Sequence, residues 1–270
     1  MERTSSSAAA AASPAERLSA LVASGRVTAF LFLRHSETAK RDASLPPLEA
    51  DLARVLTAEG VEKCRRAGEE LFGGAGGPDG APGWLGARGV PSAVKLCLIS
   101  PTLRTRDTAR HVLGDGAGSA SVREIQSFYN TDAHTQGTAI NRATGKLSYA
   151  SLQGYLDEGE DTREEYLRFG ERGLADMVAA IEAEVGQDSS EEGCCLGCVL
   201  CVGHAVDSSS IALATLRALS GNADVASPTP HMSTVLNIVQ DTVSGILVDT
   251  ACGVRAEYFR CSDAAAVAPP

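Results

Sequence analysis

No apolar run in the 270-residue chain approaches the roughly 20 residues that a bilayer-crossing helix needs. Positive charge is also scarce: 24 Lys and Arg against 34 Asp and Glu leave a formal net charge of −10. That balance argues against a nucleic-acid surface and against attraction to anionic membranes, so neither partner is expected. The first residues lack the basic start and long apolar core of a signal peptide, and Glu2 with few arginines weakens an organellar-targeting reading. No internal repeat stands out. An apolar content of 44% suffices for the core of one α/β domain of this length. Residues 13–261 are expected to form it, after a Ser/Ala-rich, disordered start over 1–12 and before a flexible tail over 262–270.

The eight cysteines raise a metal question. Cys198-x-x-Cys201 supplies half of a zinc spacing, but the second well-spaced Cys or His pair is missing, so packing of small apolar side chains is preferred around Cys194, Cys195, Cys198 and Cys201. No metal and no other cofactor is expected. Thiols in this number, without a secretory signal, point to a reducing compartment and hence a cytoplasmic protein.

Three short apolar runs carry the chemistry. Val27-Thr28-Ala29-Phe30-Leu31-Phe32-Leu33 predicts a buried strand that delivers Arg34-His35 to its carboxyl end, where open α/β sheets bind ligands. A neutral imidazole can attack phosphorus, while a planar, permanently charged guanidinium holds phosphoryl oxygens. The plainer alternative pairs Arg34 with a carboxylate and leaves His35 as a strand end. Val94-Lys95-Leu96-Cys97-Leu98-Ile99 predicts a second strand, leading into Ser100-Pro101 as cap and first residue of a helix that carries Arg104 in its first turn. Free backbone N–H groups there favour anions. Leu196-Gly197-Cys198-Val199-Leu200-Cys201-Val202 predicts a third strand, ending in Gly203-His204.

With these blocks in place, the chain resembles the histidine phosphatase superfamily, which contains cofactor-dependent phosphoglycerate mutases and phosphohistidine phosphatases. The resemblance rests on Leu33-Arg34-His35-Ser36-Glu37-Thr38, Leu56-Thr57-Ala58-Glu59-Gly60, Ser100-Pro101 with Arg104 and Thr108-Ala109, Gly159-Glu160-Asp161, and Val202-Gly203-His204. It runs from about residue 27 to residue 219. It implies that His35 is the nucleophile of a metal-independent phosphatase working through a phosphohistidine, with Arg34, Arg104 and His204 stabilising the transferred group. Ser36, Glu37, Thr38, Lys40 and Arg41 are then substrate-binding candidates. Ser36 replaces the family's usual glycine and would narrow the pocket or change its phosphate contacts; Lys40 and Arg41 are either rim charges or a solvated loop.

The proton donor is the least legible element. The family's pattern points to Glu124 in Val122-Arg123-Glu124, without the glycine normally found downstream; Asp132 and Asp207 are rivals, and Glu124 can equally be a solvated strand-end carboxylate. A phosphorylated small molecule or phosphoprotein is the expected substrate; a mutase and a non-catalytic phosphate-binding module are the alternatives. Oligomeric state is open.

Alternating elements predict a three-layer α/β/α sandwich with a mostly parallel central sheet. Helices are expected over 14–22, 52–71, 102–113, 162–185 and 207–219. A hairpin is expected from 233–240 and 245–250, with further pairing by 253–260. Residues 73–89 read as a long surface connection, and residues 127–147 as a polar insertion without a lid signature.

Overall fold

The computed structural model describes residues 12–73, 82–114, 120–147, 150–187, 195–251 and 253–262. The chain starts with α1 (Pro14–Ala23), where Ser13 and Glu16 form a reciprocal capping box and Pro14 takes the first helical position. It continues through β1 (Val27–Arg34), α2 (Pro47–Leu52), α3 (Ala58–Phe72), β2 (Leu96–Ile99), α4 (Leu103–Leu113), β3 (Ser121–Glu124), α5 (Ala139–Leu147) and α6 (Leu152–Leu156). The last elements are α7 (Glu160–Gln187), β4 (Gly197–Gly203), α8 (Ala205–Ser220), α9 (Pro230–Asn237), β5 (Ser244–Asp249) and β6 (Arg255–Arg260).

The six strands stand in the order β3-β2-β4-β1-β5-β6. β3, β2, β4 and β1 run parallel, while β5 is antiparallel to β1 and to β6. Alternation along β1 divides the core between two faces. Phe30 and Phe32 pack on one side with residues of α1, α7, α8 and α9; Ala29, Leu31 and Leu33 pack on the other with Cys64, Ala67 and Leu71 of α3 and Ala109 and Val112 of α4. The sheet therefore lies between two helical layers, as the sequence predicts. No helix among the described residues is long and apolar enough to cross a membrane.

Several boundaries differ from expectation for identifiable reasons. The helix expected over 52–71 starts only at Ala58, and Leu52 instead ends the separate α2. Residues 53–57 are drawn into contact with the segment after β1, as Ala39 donates to the Val55 carbonyl, Thr57 donates to that of Glu37 and Leu56 bridges Thr38. Thr57 then caps α3 by accepting from Gly60 N–H at 2.9 Å. α4 is capped by Thr102 rather than Ser100, because the Ser100 hydroxyl is spent inside the fold on Thr105 and His204. Residues 233–240 do not form a strand: Thr229 caps and Pro230 opens α9, which buries Met232, Val235 and Leu236 at helical spacing. The hairpin is instead β5 with β6.

Of the connection over 73–89, residues 74–81 lie outside the described set, as do residues 1–11, Cys194 and the tail beyond 262. The remainder is anchored: Leu85 is fully buried and Trp84 meets Phe259 edge to face. Cys64, Cys97, Cys198, Cys201 and Cys261 are buried, Cys195 is exposed, and all six are free thiols. Among the described residues no group of three or more His, Cys, Asp or Glu side chains is arranged to hold a metal ion.

Leu31, fully buried between β4 and β5, tests the load carried by β1. Leu31→Ala is expected to cost about 2–5 kcal/mol through lost burial and a residual cavity, read as a lower urea midpoint at unchanged slope.

Candidate active site

Parallel pairing sets the site. β4 lies between β2 and β1, so the three carboxyl ends carrying Ser100, His204 and Arg34-His35 open side by side. Register pairs Arg34 with Gly203, and His35 N–H donates to the Gly203 carbonyl at 2.9 Å. The His35 and His204 rings consequently face each other edge to face, with centroids 5.2 Å apart. At Gly203 a Cβ would lie 2.7 Å from the Ser208 hydroxyl, so a side chain there would require Ser208 to move. Gly60 is constrained more strictly: a Cβ would fall 2.4 Å from the Glu37 backbone carbonyl, where α3 closes on the loop after β1.

Each imidazole has a definable proton. His35 Nδ1 lies 2.7 Å from the Ser36 carbonyl, which only accepts, so Nδ1 carries the hydrogen and Nε2 keeps its lone pair. Arg104 Nη2, which only donates, lies 3.3 Å from His204 Nδ1. The His204 hydrogen therefore sits on Nε2 and is given to Ser100 Oγ at 2.9 Å. Burial, then the charges of Arg104 and Arg34, holds the His35 imidazole well below the ordinary histidine value. Burial, then Arg104 and His35, does the same for His204. Both rings are neutral at pH 7.

A cavity of about 480 Å³ opens over these residues, within the roughly 300–1,000 Å³ usual for small-molecule sites. Arg34, His35, Ser36, Glu37, Thr38, Arg41, Arg104 and His204 all line it. Arg34 Nη1 donates to the Gln240 carbonyl, which fixes the guanidinium beneath the pocket. Arg104 is 3% exposed and is gripped by Asp51, through the backbone carbonyl and through Oδ2 at 2.7 Å. Ser36 does not present its hydroxyl to the pocket: it donates to the Gly60 carbonyl at 2.7 Å, and its N–H is given to Thr108. Among the described residues Val243 is the non-glycine with positive φ, so position 36 does not demand glycine for its backbone.

Two candidates are not brought to the cavity. Lys40 is exposed and does not line it. Glu124 projects from the edge strand β3, where it accepts from Arg106 at 2.9 Å and Gln126 at 2.8 Å, and it lines a separate shallow groove with Arg106 and Val122. The edge position of β3, one strand beyond β2, puts Glu124 outside the three converging ends. Its rival Asp132 is also absent from the lining, whereas Asp207, in the first turn of α8, is part of it. Burial raises the Asp207 carboxyl to about 7, against the lowering effects of the Asn130 backbone N–H and the Arg104 charge.

Sequence reasoning missed most of the opposite wall. Residues 126–147 fold into short turns and α5 that bring Tyr129, Asn130, His134 and Thr144 over the cavity, joined by Tyr155 and Tyr166. Asp51 and Arg54 enter from α2 and the segment after it. Their signal was available only in part: Asp51 lies on the buried side of a short helix, and nothing local marks it as a partner of Arg104, 53 positions away.

Fold and site together define an α/β sandwich with two neutral histidines and two fixed arginines at adjacent parallel strand ends. No protein-family model matches the chain, and neither does any curated protein. Among solved structures, it aligns with a mycobacterial glucosyl-3-phosphoglycerate phosphatase in complex with inorganic phosphate, at 15% identity and TM-score 0.48, covering 89% of this chain and 100% of that one. It also aligns with the alpha-ribazole phosphatase of Shigella flexneri, at 16% identity and TM-score 0.45, covering 87% and 96% respectively.

The proton assignments are open to direct measurement. In an imidazole NMR titration, His35 and His204 should pass their midpoints well below pH 6.5; a midpoint at or above 6.5 for either ring would overturn the assignment. The unfolded chain binds these protons first, so both histidines make stability decline as pH falls below about 6.5.

Proposed function

We propose that this chain is a metal-independent phosphatase that hydrolyses a phosphomonoester of a small molecule or protein through a phosphohistidine on His35. The observation that carries this reading is the state of His35: neutral, with its hydrogen tied to the Ser36 carbonyl, beside Arg34, Arg104 and His204 in one cavity. A reading of Arg34 and His35 as mere strand-end residues leaves that convergence unexplained. A binding module would need the cations but not an uncharged imidazole with a free lone pair.

In this mechanism His35 Nε2 attacks phosphorus in line as the bond from phosphorus to the leaving oxygen breaks. Arg34 and Arg104 hold the phosphoryl oxygens through the transition state, where positioning and fixed charge supply most of the rate. His204, held by Ser100 and Arg104, packs against the nucleophile and sets its orientation. Asp207 gives its proton to the leaving oxygen, takes one from the attacking water in the second step, and so regenerates with the release of phosphate. Asp207 replaces Glu124 in this role because it lines the cavity and is substantially protonated near neutral pH. A cytoplasmic location is part of this reading, supported by the free thiols of the six described cysteines.

Brief exposure to labelled substrate followed by a denaturing quench should leave an alkali-stable, acid-labile label on the peptide containing His35. Substantial turnover by His35→Ala would sink the mechanism. Asp207→Asn should slow an alkyl phosphate by about 10²–10⁴-fold while sparing p-nitrophenyl phosphate, whereas Glu124→Gln should leave both rates near wild type. Because the acid must be protonated, kcat for the alkyl ester should fall as pH rises through about 7, a limb that Asp207→Asn abolishes.

A further inference from the structure

Asp51 faces more positive charge than one carboxylate can neutralise. Its Oδ1 accepts from Arg41 Nε at 3.0 Å and lies 2.9 Å from Arg41 Nη2 and 3.6 Å from Arg54 Nη1. Its Oδ2 accepts from Arg104 Nη2 at 2.7 Å and from the Tyr129 hydroxyl at 2.8 Å, with His134 Nε2 at 3.6 Å. The side chain is 4% exposed, and the whole cluster borders the cavity over His35. Burial pushes its carboxyl up, but the neighbouring His134 ring, the Arg104 charge and the Tyr129 hydroxyl outweigh that and hold it well below the usual range.

Two consequences follow from this placement. Asp51 grips both Nη atoms of Arg104, one with its backbone carbonyl and one with its carboxylate, so it sets the plane of the guanidinium against His204. It also puts a fixed negative charge among the cations that an incoming phosphate must use, so the carboxylate and the phosphate compete for Arg104. Arg54 feels the same crowding: burial, then the Arg104 charge, lowers its pKa, Asp51 opposes this and Arg41 adds to the lowering.

We infer that Asp51 is a positioning residue that orients Arg104 for phosphoryl transfer and lowers the cavity's affinity for free phosphate, so that product leaves. The first half rests on the phosphatase reading above; the second requires only that the cavity bind phosphate. A purely structural Asp51 would affect stability and leave anion affinity alone.

The test is calorimetric titration of inorganic phosphate at constant ionic strength, alongside steady-state kinetics. Asp51→Asn keeps the shape and the carbonyl grip but removes the charge. It should bind phosphate roughly tenfold or more tightly than wild type, with kcat and KM falling together. Asp51→Glu should bring phosphate affinity back toward wild type. Should Asp51→Asn fold poorly, the double variant with Arg41→Gln restores the local charge balance, and its phosphate affinity should lie near wild type. Unchanged or weaker phosphate binding by Asp51→Asn overturns the inference whatever its melting temperature, and leaves the phosphatase reading intact if wild type turns over esters. Tighter binding by Asp51→Asn in a protein whose wild type hydrolyses no ester supports the affinity effect and removes the phosphatase reading instead.

Discussion

Because β1 and β4 run parallel in register from Ala29 with Cys198 to Arg34 with Gly203, the residues that follow them leave the sheet from neighbouring positions on one edge. Strand spacing of about 4.8 Å then leaves His35 and His204 no choice but to meet. The hydrogen bond from His35 N–H to the Gly203 carbonyl extends the ladder one residue into the site, so the nucleophile candidate is held by backbone rather than by a mobile loop. β2 on the other side of β4 completes the arrangement, delivering Ser100 to the His204 ring and starting the helix that carries Arg104.

Neutral histidines beside fixed arginines are an electrostatic consequence of that geometry. Removal from water and adjacent positive charge both disfavour the imidazolium, and among the described residues no carboxylate is paired with His35 to reverse the effect. Asp51 sits instead against the arginines. The site thereby keeps an uncharged imidazole nitrogen beside guanidinium charge that Asp51 partly offsets. In a chain of net charge −10, the arginines lining the cavity are a local reversal of sign.

Much of this was legible locally. Apolar runs with one helical cap or charged pair at the end identified β1, β2 and β4, and the direction of a parallel sheet implied that Arg34-His35, Ser100 and His204 share an edge. Capping chemistry placed α1 almost to the residue. Errors arose where a local signal had two outcomes. Residues 233–240 alternate well enough for a strand, yet Thr229-Pro230 and the burial of Met232, Val235 and Leu236 make a helix there. Ser100-Pro101 looks like a helix start, but the Ser100 hydroxyl has better partners in Thr105 and His204, and capping passes to Thr102.

The sequence by itself determined the layered fold and the groups delivered by the sheet, because hydrophobic period and strand-end position are local properties read from consecutive residues. Which carboxylates stand near those groups was decided by tertiary structure alone. Glu124 and Asp207 are both acids close to strand ends, but β3 is an edge strand and α8 begins beside His204, so one carboxylate reaches Arg106 and the other the cavity. Arg104, Tyr129 and His134 converge on Asp51 from segments distant in the sequence, through contacts that exist only once the chain has closed around the sheet.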